Sequence, residues 1–420
     1  MGTMKSSENK IDQMLENILR KFFSNDEVSE ISSQIITQSQ LLEGDLSAIN
    51  SVNKEQIEYE VSHDYNLRSH IDFLITFAES KLTQDHYLNL MLELGQFAIA
   101  SGELSIAADV HEKILTDTEN DYALQNYTAN AYLALGGIYR RQARWSISLD
   151  YAQKADQLFT KLDDKKGISR CENLIGNIFG DQGNVEEAKH HFEKSLSLLD
   201  ADEDINLVAT LESNLGVLYN MQGNSEVALK YYSSALSKFE KLNNLRRIAE
   251  VRHNIGMLYL QKNDYELAIK ELDNSISVSF KAGNLPFIGM SYLSKAYVYS
   301  QLRDHLLATA YADKAMEICN KTNDKLSIAE IYKVKGIINK NLKNFSLSES
   351  YLLTSLRINK DLKNSLNLAE TSYELGLLFK EIDRKEDAEK RLNEALNYFK
   401  SINSQKEVEK IEILLREIKG

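Results

Sequence analysis

The chemistry open to this chain starts from eight histidines, two cysteines and 62 carboxylates among 420 residues. His63, His70, His86, His111, His190, His191, His253 and His305 contain no H-x-x-x-H pair, the spacing that sets two imidazoles on one helical face for a metal. His190 and His191 are adjacent and would point about 100° apart on a helix, so they cannot share an ion. Cys171 and Cys319 have no histidine close in sequence. They are expected as buried small hydrophobes, and they make neither a disulfide framework nor a four-cysteine zinc site. No G-x-x-x-x-G-K-[ST] or G-x-G-x-x-G loop is present to cradle phosphates. The acidic run Asp200–Asp204 is expected to be solvated turn charge. No acid/base pair emerges, so the expectation is a protein that is not an enzyme and needs neither metal nor cofactor.

Charge and composition narrow the partners. Lys and Arg number 49 against 62 Asp and Glu, a formal net charge of −13. So acidic a chain is a poor general binder of nucleic acid or anionic membrane. Apolar runs fall far short of the ~18–20 residues of a membrane span. With two cysteines and no apolar signal core at the N-terminus, the expected location is cytoplasmic. Gly2 and Ser6 fit the M-G-x-x-x-[ST] myristoylation pattern, although Met1–Thr3 also reads as a cloning remnant ahead of Met4.

Positioning comes from a repeat. Gly95, Gly136, Gly176, Gly216, Gly256, Gly336 and Gly376 share one register with Ala296, spaced 41 residues once and then 40. Twelve positions after each stands Ala107, Ser148, Ala188, Ala228, Ala268, Ala308, Ser348 or Ala388; nineteen after, small residues dominate again, from Ala155 to Ala395, with Ile114 larger. An aromatic recurs three positions after the small residue, as Tyr139, Phe179, Tyr219, Tyr259, Tyr299 and Phe379. With a single proline, at Pro286, and helical periodicity on both sides of breaks such as Gly223–Asn224, each unit reads as a helical hairpin. One hairpin cannot bury its apolar face alone, so neighbours must stack into a continuous core. Gly216 and Gly256, placed where two helices touch, are expected to accept Ala but not Leu.

These residues, Leu-Gly with Tyr three on and then Ala-x-x-x-Tyr/Phe-x-x-Ala, resemble the tetratricopeptide repeat between about Leu88 and Ser401. The 40-residue period is similar to the long-helix branch found in bacterial peptide-receptor regulators, transcription activators and cell-polarity adaptors. The closing Pro and the Trp of the first helix are absent. The resemblance implies an all-α, right-handed α-solenoid of helix–turn–helix units with an N-terminal helical segment. Residues 1–85 would be that segment, a bundle or a degenerate cap, with helices near Ile11–Phe23, Asp26–Leu42 and Lys54–Lys81, the last open to a break near His63–Asn66. It carries −8 of the −13, from seven Lys/Arg and fifteen Asp/Glu. Residues 86–403 would hold eight repeats, and 404–420 a capping helix with Ile411, Ile413, Leu414, Leu415 and Ile418 on its apolar side.

The resemblance also implies a concave face lined by the first helix of every unit. That face would carry Arg140, Arg141, Arg170, Asn173, Asn177, Asn214, Asn220, His253, Asn254 and Tyr297, with Lys333, Lys340, Glu374 and Lys380 further along. Asparagine is a poor helix former, so five on one face ask for a reason. They either form a ladder holding the backbone of an extended peptide or bond between neighbouring repeats. The Lys and Arg places of the chaperone-tail clamp hold Asn173, Glu250 and Asn254, which disfavours that use. The partner expected is a protein or peptide segment, acidic ones included, entering at the arginines, with His253 and Tyr297 reading side chains. Three functions remain open: a peptide-binding scaffold, a peptide-responsive regulator whose N-terminal segment contacts an output partner, and a structural platform.

Overall fold

The computed structural model describes residues 14–46, 54–142, 144–322, 324–362, 364–401 and 404–419. Gly2 and Ser6 lie outside them. Among the described residues every regular element is helical, and no helix is long and apolar enough to cross a membrane. The chain divides into two compact units. One runs to Ile138 and includes Asp150–Asp163; the other comprises Tyr139–Leu149 and Asp164–Gly420.

In the first unit a short helical stretch at 14–19 precedes helices Asn25–Leu46 and Lys54–Lys81, the latter unbroken at 63–66. The hairpin Gln84–Ser101 and Leu104–Thr118 follows, and here His111 lies over Gly95. In the second unit six hairpins follow one another, beginning at Lys165, Ile205, Leu245, Leu285, Lys325 and Ser365, each helix packing on the next in sequence. Counting the Gly95 unit as repeat 1, these are repeats 3 to 8. Helix Gln405–Lys419 packs on repeat 8 through Val408, Ile411, Leu415 and Ile418. Ile413 faces outward, 54% exposed, contrary to its expected place on the apolar side. It sits two residues from both Ile411 and Leu415, which turns it away from them on a helix.

The turns explain why each hairpin closes. Among the described residues, the residue seven after the register position has positive φ: Gly102, Gly183, Gly223, Asn263, Arg303, Lys343 and Asp383. The next N–H then donates back across the helix end, as Asn224 N to Tyr219 O at 2.8 Å and Arg384 N to Phe379 O at 2.8 Å. That is the six-to-one bond of a Schellman cap, which satisfies carbonyls the helix leaves open.

The register glycines are packing positions. All the residues twelve and nineteen further on are fully buried, Ile114 included. The close approach, however, is to the residue sixteen on: Phe192 over Gly176, Tyr232 over Gly216, Leu272 over Gly256, Leu352 over Gly336 and Leu392 over Gly376. Ala296 replaces glycine in repeat 6, and there the sixteenth residue shrinks to Ala312, both buried in one cluster. This corrects the expectation for alanine. An added Cβ would lie 2.6 Å from Tyr232 Cε1 at Gly216 but 3.0 Å from Leu272 Cγ at Gly256, so only the second site can take it by a small shift. The recurring aromatics stack on the second helix at the outer edge, Tyr219 on Tyr231 and Tyr299 on Tyr311.

Candidate functional site

In the second unit the first helices present a polar face away from this packing. Arg140 and Arg141 end helix Gln125–Arg141, Arg170 lies on Lys165–Asp181, and Arg246 and Arg247 open Leu245–Gln261. Arg140 pairs with Asp181 at 2.8 Å and Arg247 with Glu250 at 2.7 Å. Burial, and then the charges of Arg140 and Arg246, hold the Arg141 guanidinium below its ordinary range, with Glu250 opposing. Burial does the same to Arg170, and burial followed by Arg247 to Arg246. Repeats 2 and 5 thus bring their guanidinium groups into one field. Arg140, Arg141, Arg246 and Arg247 lie in one another's field with Glu250 among them, so an arriving anion would be drawn to them.

The asparagines divide. Asn214 Nδ2 donates to Asn173 Oδ1 at 2.7 Å, joining repeats 4 and 3, and Asn177 Nδ2 reaches the same oxygen at 3.5 Å. The bond between repeats is therefore present at Asn173 and Asn214. It still leaves Asn214 one N–H and its oxygen, and Asn173 both its N–H groups. Asn254 makes no such bond among the described residues. Asn220 keeps a buried Oδ1 without a partner. Arg246 and Arg247 lay outside the sequence argument because they sit ten and nine positions before Gly256, beyond the offsets that define the family's lining. Lys-Arg richness at the start of a first helix was the available signal.

Further along, the first helices of repeats 5 to 8 line an open pocket of about 280 Å³ formed by His253, Met290, Leu293, Leu326, Glu330 and Glu370, with three further residues. His253 is a wall rather than a free reader: its ring is 7% exposed, Nδ1 lies 3.2 Å from Ser291 Oγ, and Phe287 meets it edge-on. Burial pushes its imidazole down to about 4. Lys333 is buried beside the cavity and pairs with Glu330 at 2.8 Å and Glu370 at 2.5 Å. Burial would lower its ammonium, but those two carboxylates outweigh it and hold the proton on. Burial pushes the Glu330 carboxyl up against Lys333. Tyr297 stands near the same charges, and burial raises its phenol. Lys340 pairs with Glu374 at 2.8 Å, and Lys380 with Glu417.

Other chemistry-bearing residues turn inward. Cys171 and Cys319 are buried free thiols, and burial raises Cys319 to about 12, far from a nucleophile's range. His191 bonds Glu172 at 2.6 Å and stacks on Phe179. No group of three His, Cys, Asp or Glu able to hold a metal occurs among the described residues. Asp204 departs from its expected solvated place. It is 8% exposed and pairs with Lys166 at 2.7 Å, because helix Val185–Ser197 ends early and its following turn folds back.

Comparison with known proteins bears on the repeat and its fold. The tetratricopeptide-repeat model matches residues 127–201 and 207–277. A search of curated proteins finds no match. Among solved structures, the Rap conjugation gene regulator of plasmid pLS20 in complex with the Phr* peptide is 13% identical. It covers 82% of this chain and 97% of its own, with a TM-score of 0.58. NprR in complex with its cognate peptide NprX is 15% identical, covering 80% and 98%, with a TM-score of 0.54. At such identities the likeness is one of fold. Residues 127–201 and 207–277 thus match the tetratricopeptide repeat, and helical hairpins in the same glycine register continue on either side of them.

Proposed function

We propose that the chain is a non-catalytic scaffold that holds an extended, carboxylate-bearing peptide along the first-helix face of repeats 2 to 5. The observation that carries this reading is the gathering of Arg140, Arg141, Arg246 and Arg247 in one field, with the Asn173–Asn214 bracket on the repeats between them. The arginines would take the carboxylates, and Asn177, Asn214, Asn220 and Asn254 would hold the peptide backbone through amide hydrogen bonds. Two structural neighbours are themselves complexes with peptides, which agrees with this use. The regulator reading draws on the same neighbours, one of which is described as a gene regulator. It adds compaction of the free protein on peptide addition, readable by small-angle scattering.

The test is enrichment from a random heptapeptide library on the full chain, read by mass spectrometry. Sequences rich in Asp and Glu should be recovered, and the double variant Arg141→Glu, Arg246→Glu should lose them. Absence of enrichment, or enrichment untouched by the charge reversal, defeats the reading. For a recovered peptide, Asn214→Ala with Asn254→Ala should weaken binding about 5- to 150-fold if each amide bond contributes ~0.5–1.5 kcal/mol and the two add.

A further inference from the structure

The cavity of repeats 5 to 8 differs in kind from the arginine end of the same face. Its lining sets apolar Met290, Leu293 and Leu326 beside Ser294, Ser327 and Asn367, with Glu330 and Glu370 among them. Among the described residues those two carboxylates pair with one ammonium, that of Lys333, which sets two negative groups against one positive at the pocket. The nearby Lys340 and Glu374 cancel each other. Apolar side chains beside a surplus of carboxylates complement a cation carried on an apolar stem.

The two ends are joined by one helix. Arg246 and His253 both lie on Leu245–Gln261, seven residues apart, which is roughly 10 Å of helix axis. Three or four extended residues span that distance at about 3.3 Å each. A short peptide can therefore touch both.

Building on the scaffold reading, we propose that the cavity receives an ammonium group on an apolar stem at one end of the bound peptide, while the arginines take carboxylates three to four residues away. The face thus selects dipolar peptides and sets their direction. Two sources carry that chemistry: the α-ammonium of an apolar first residue, or a lysine side chain.

The test uses the same random heptapeptide library on the full chain, now read by position, beside an N-acetylated copy. Expected is enrichment of an apolar first residue or a lysine at one end, with Asp or Glu three to four positions on. If acetylation abolishes recovery, the source is the α-ammonium. If recovery persists with lysine, the source is the side chain. Glu370→Gln should cut the enrichment at that end about tenfold while leaving the acidic positions recovered. Glu330→Gln should do likewise; should it fail to fold, Glu370→Gln, which leaves Lys333 its Glu330 partner, decides alone. Acidic peptides recovered with no ammonium-bearing position, or a preference unchanged in Glu370→Gln, overturn the inference and spare the scaffold. No enrichment at all overturns both.

Discussion

His111 fills the place over Gly95 that leucine fills in repeats 5, 7 and 8, and neither of its ring nitrogens has a hydrogen-bond partner. Burial pushes its imidazole down to about 4, as it does for His253. The ordinary value is near 6.5, so below that pH the unfolded chain takes up protons that the folded chain refuses. Stability is therefore full above about pH 6.5 and is lost as pH falls toward 4. His111→Leu should raise the urea midpoint at pH 7, since an orphaned buried polar group costs ~1–3 kcal/mol, and should flatten the acid-side loss between pH 6.5 and 4. An unchanged midpoint and slope would show that His111 is satisfied in solution. At the register positions, Gly256→Ala should be near neutral, because better helix propensity offsets a small shift of Leu272. Gly216→Ala should lose ~1–3 kcal/mol by crowding the Tyr232 ring. Equal melting of the two variants would refute the packing order read from their distances.

The hairpin turn is the element on which the repeat depends. Its left-handed residue is Gly183 or Gly223 in repeats 3 and 4, but Arg303 and Lys343 in repeats 6 and 7. A side chain in that conformation costs about 1–2 kcal/mol, partly offset because glycine loses more freedom on folding. Lys343→Gly and Arg303→Gly should therefore each stabilise by up to about 1 kcal/mol, as thermal or urea unfolding would register. Destabilisation by either would mean that the side chain contributes more than the backbone strain. The sequence pattern showed the break at Gly223–Asn224 but could not show those at Arg303 and Lys343. Neither residue is a turn former; the two packed helices impose the turn on them.

The core is built by succession. Repeat 8 and helix Gln405–Lys419 share one cluster, in which Leu396 and Phe399 meet Val408, Ile411, Leu415 and Ile418. A chain ended after Ser401 should expose that face, and at ~1.5–3 kcal/mol per buried apolar side chain the loss should be several kcal/mol. Dye binding to exposed apolar surface and a lower urea midpoint are the readouts; a truncated chain that melts like the parent would show the helix to be dispensable. Charge is also organised at this scale. The chain is acidic overall, yet Arg140, Arg141, Arg246 and Arg247 gather in one field within its second unit.

The amino-acid sequence alone determined the helical hairpins and their packing in sequence order, because glycine and alanine spacing at 40 residues is a local requirement of helix contact repeated in each unit. It also marked Arg140, Arg141, Arg170 and the asparagines, since a first-helix face is defined by offset from the register. What the tertiary structure decided is everything that depends on residues from different repeats meeting. The Asn214–Asn173 bond, the approach of Arg246 to Arg141, the burial of His253 against Ser291 and the pocket between Glu330 and Glu370 join positions 38 to 105 residues apart. Nothing local in the sequence encodes those distances; they follow from how successive hairpins rotate as their buried faces interlock.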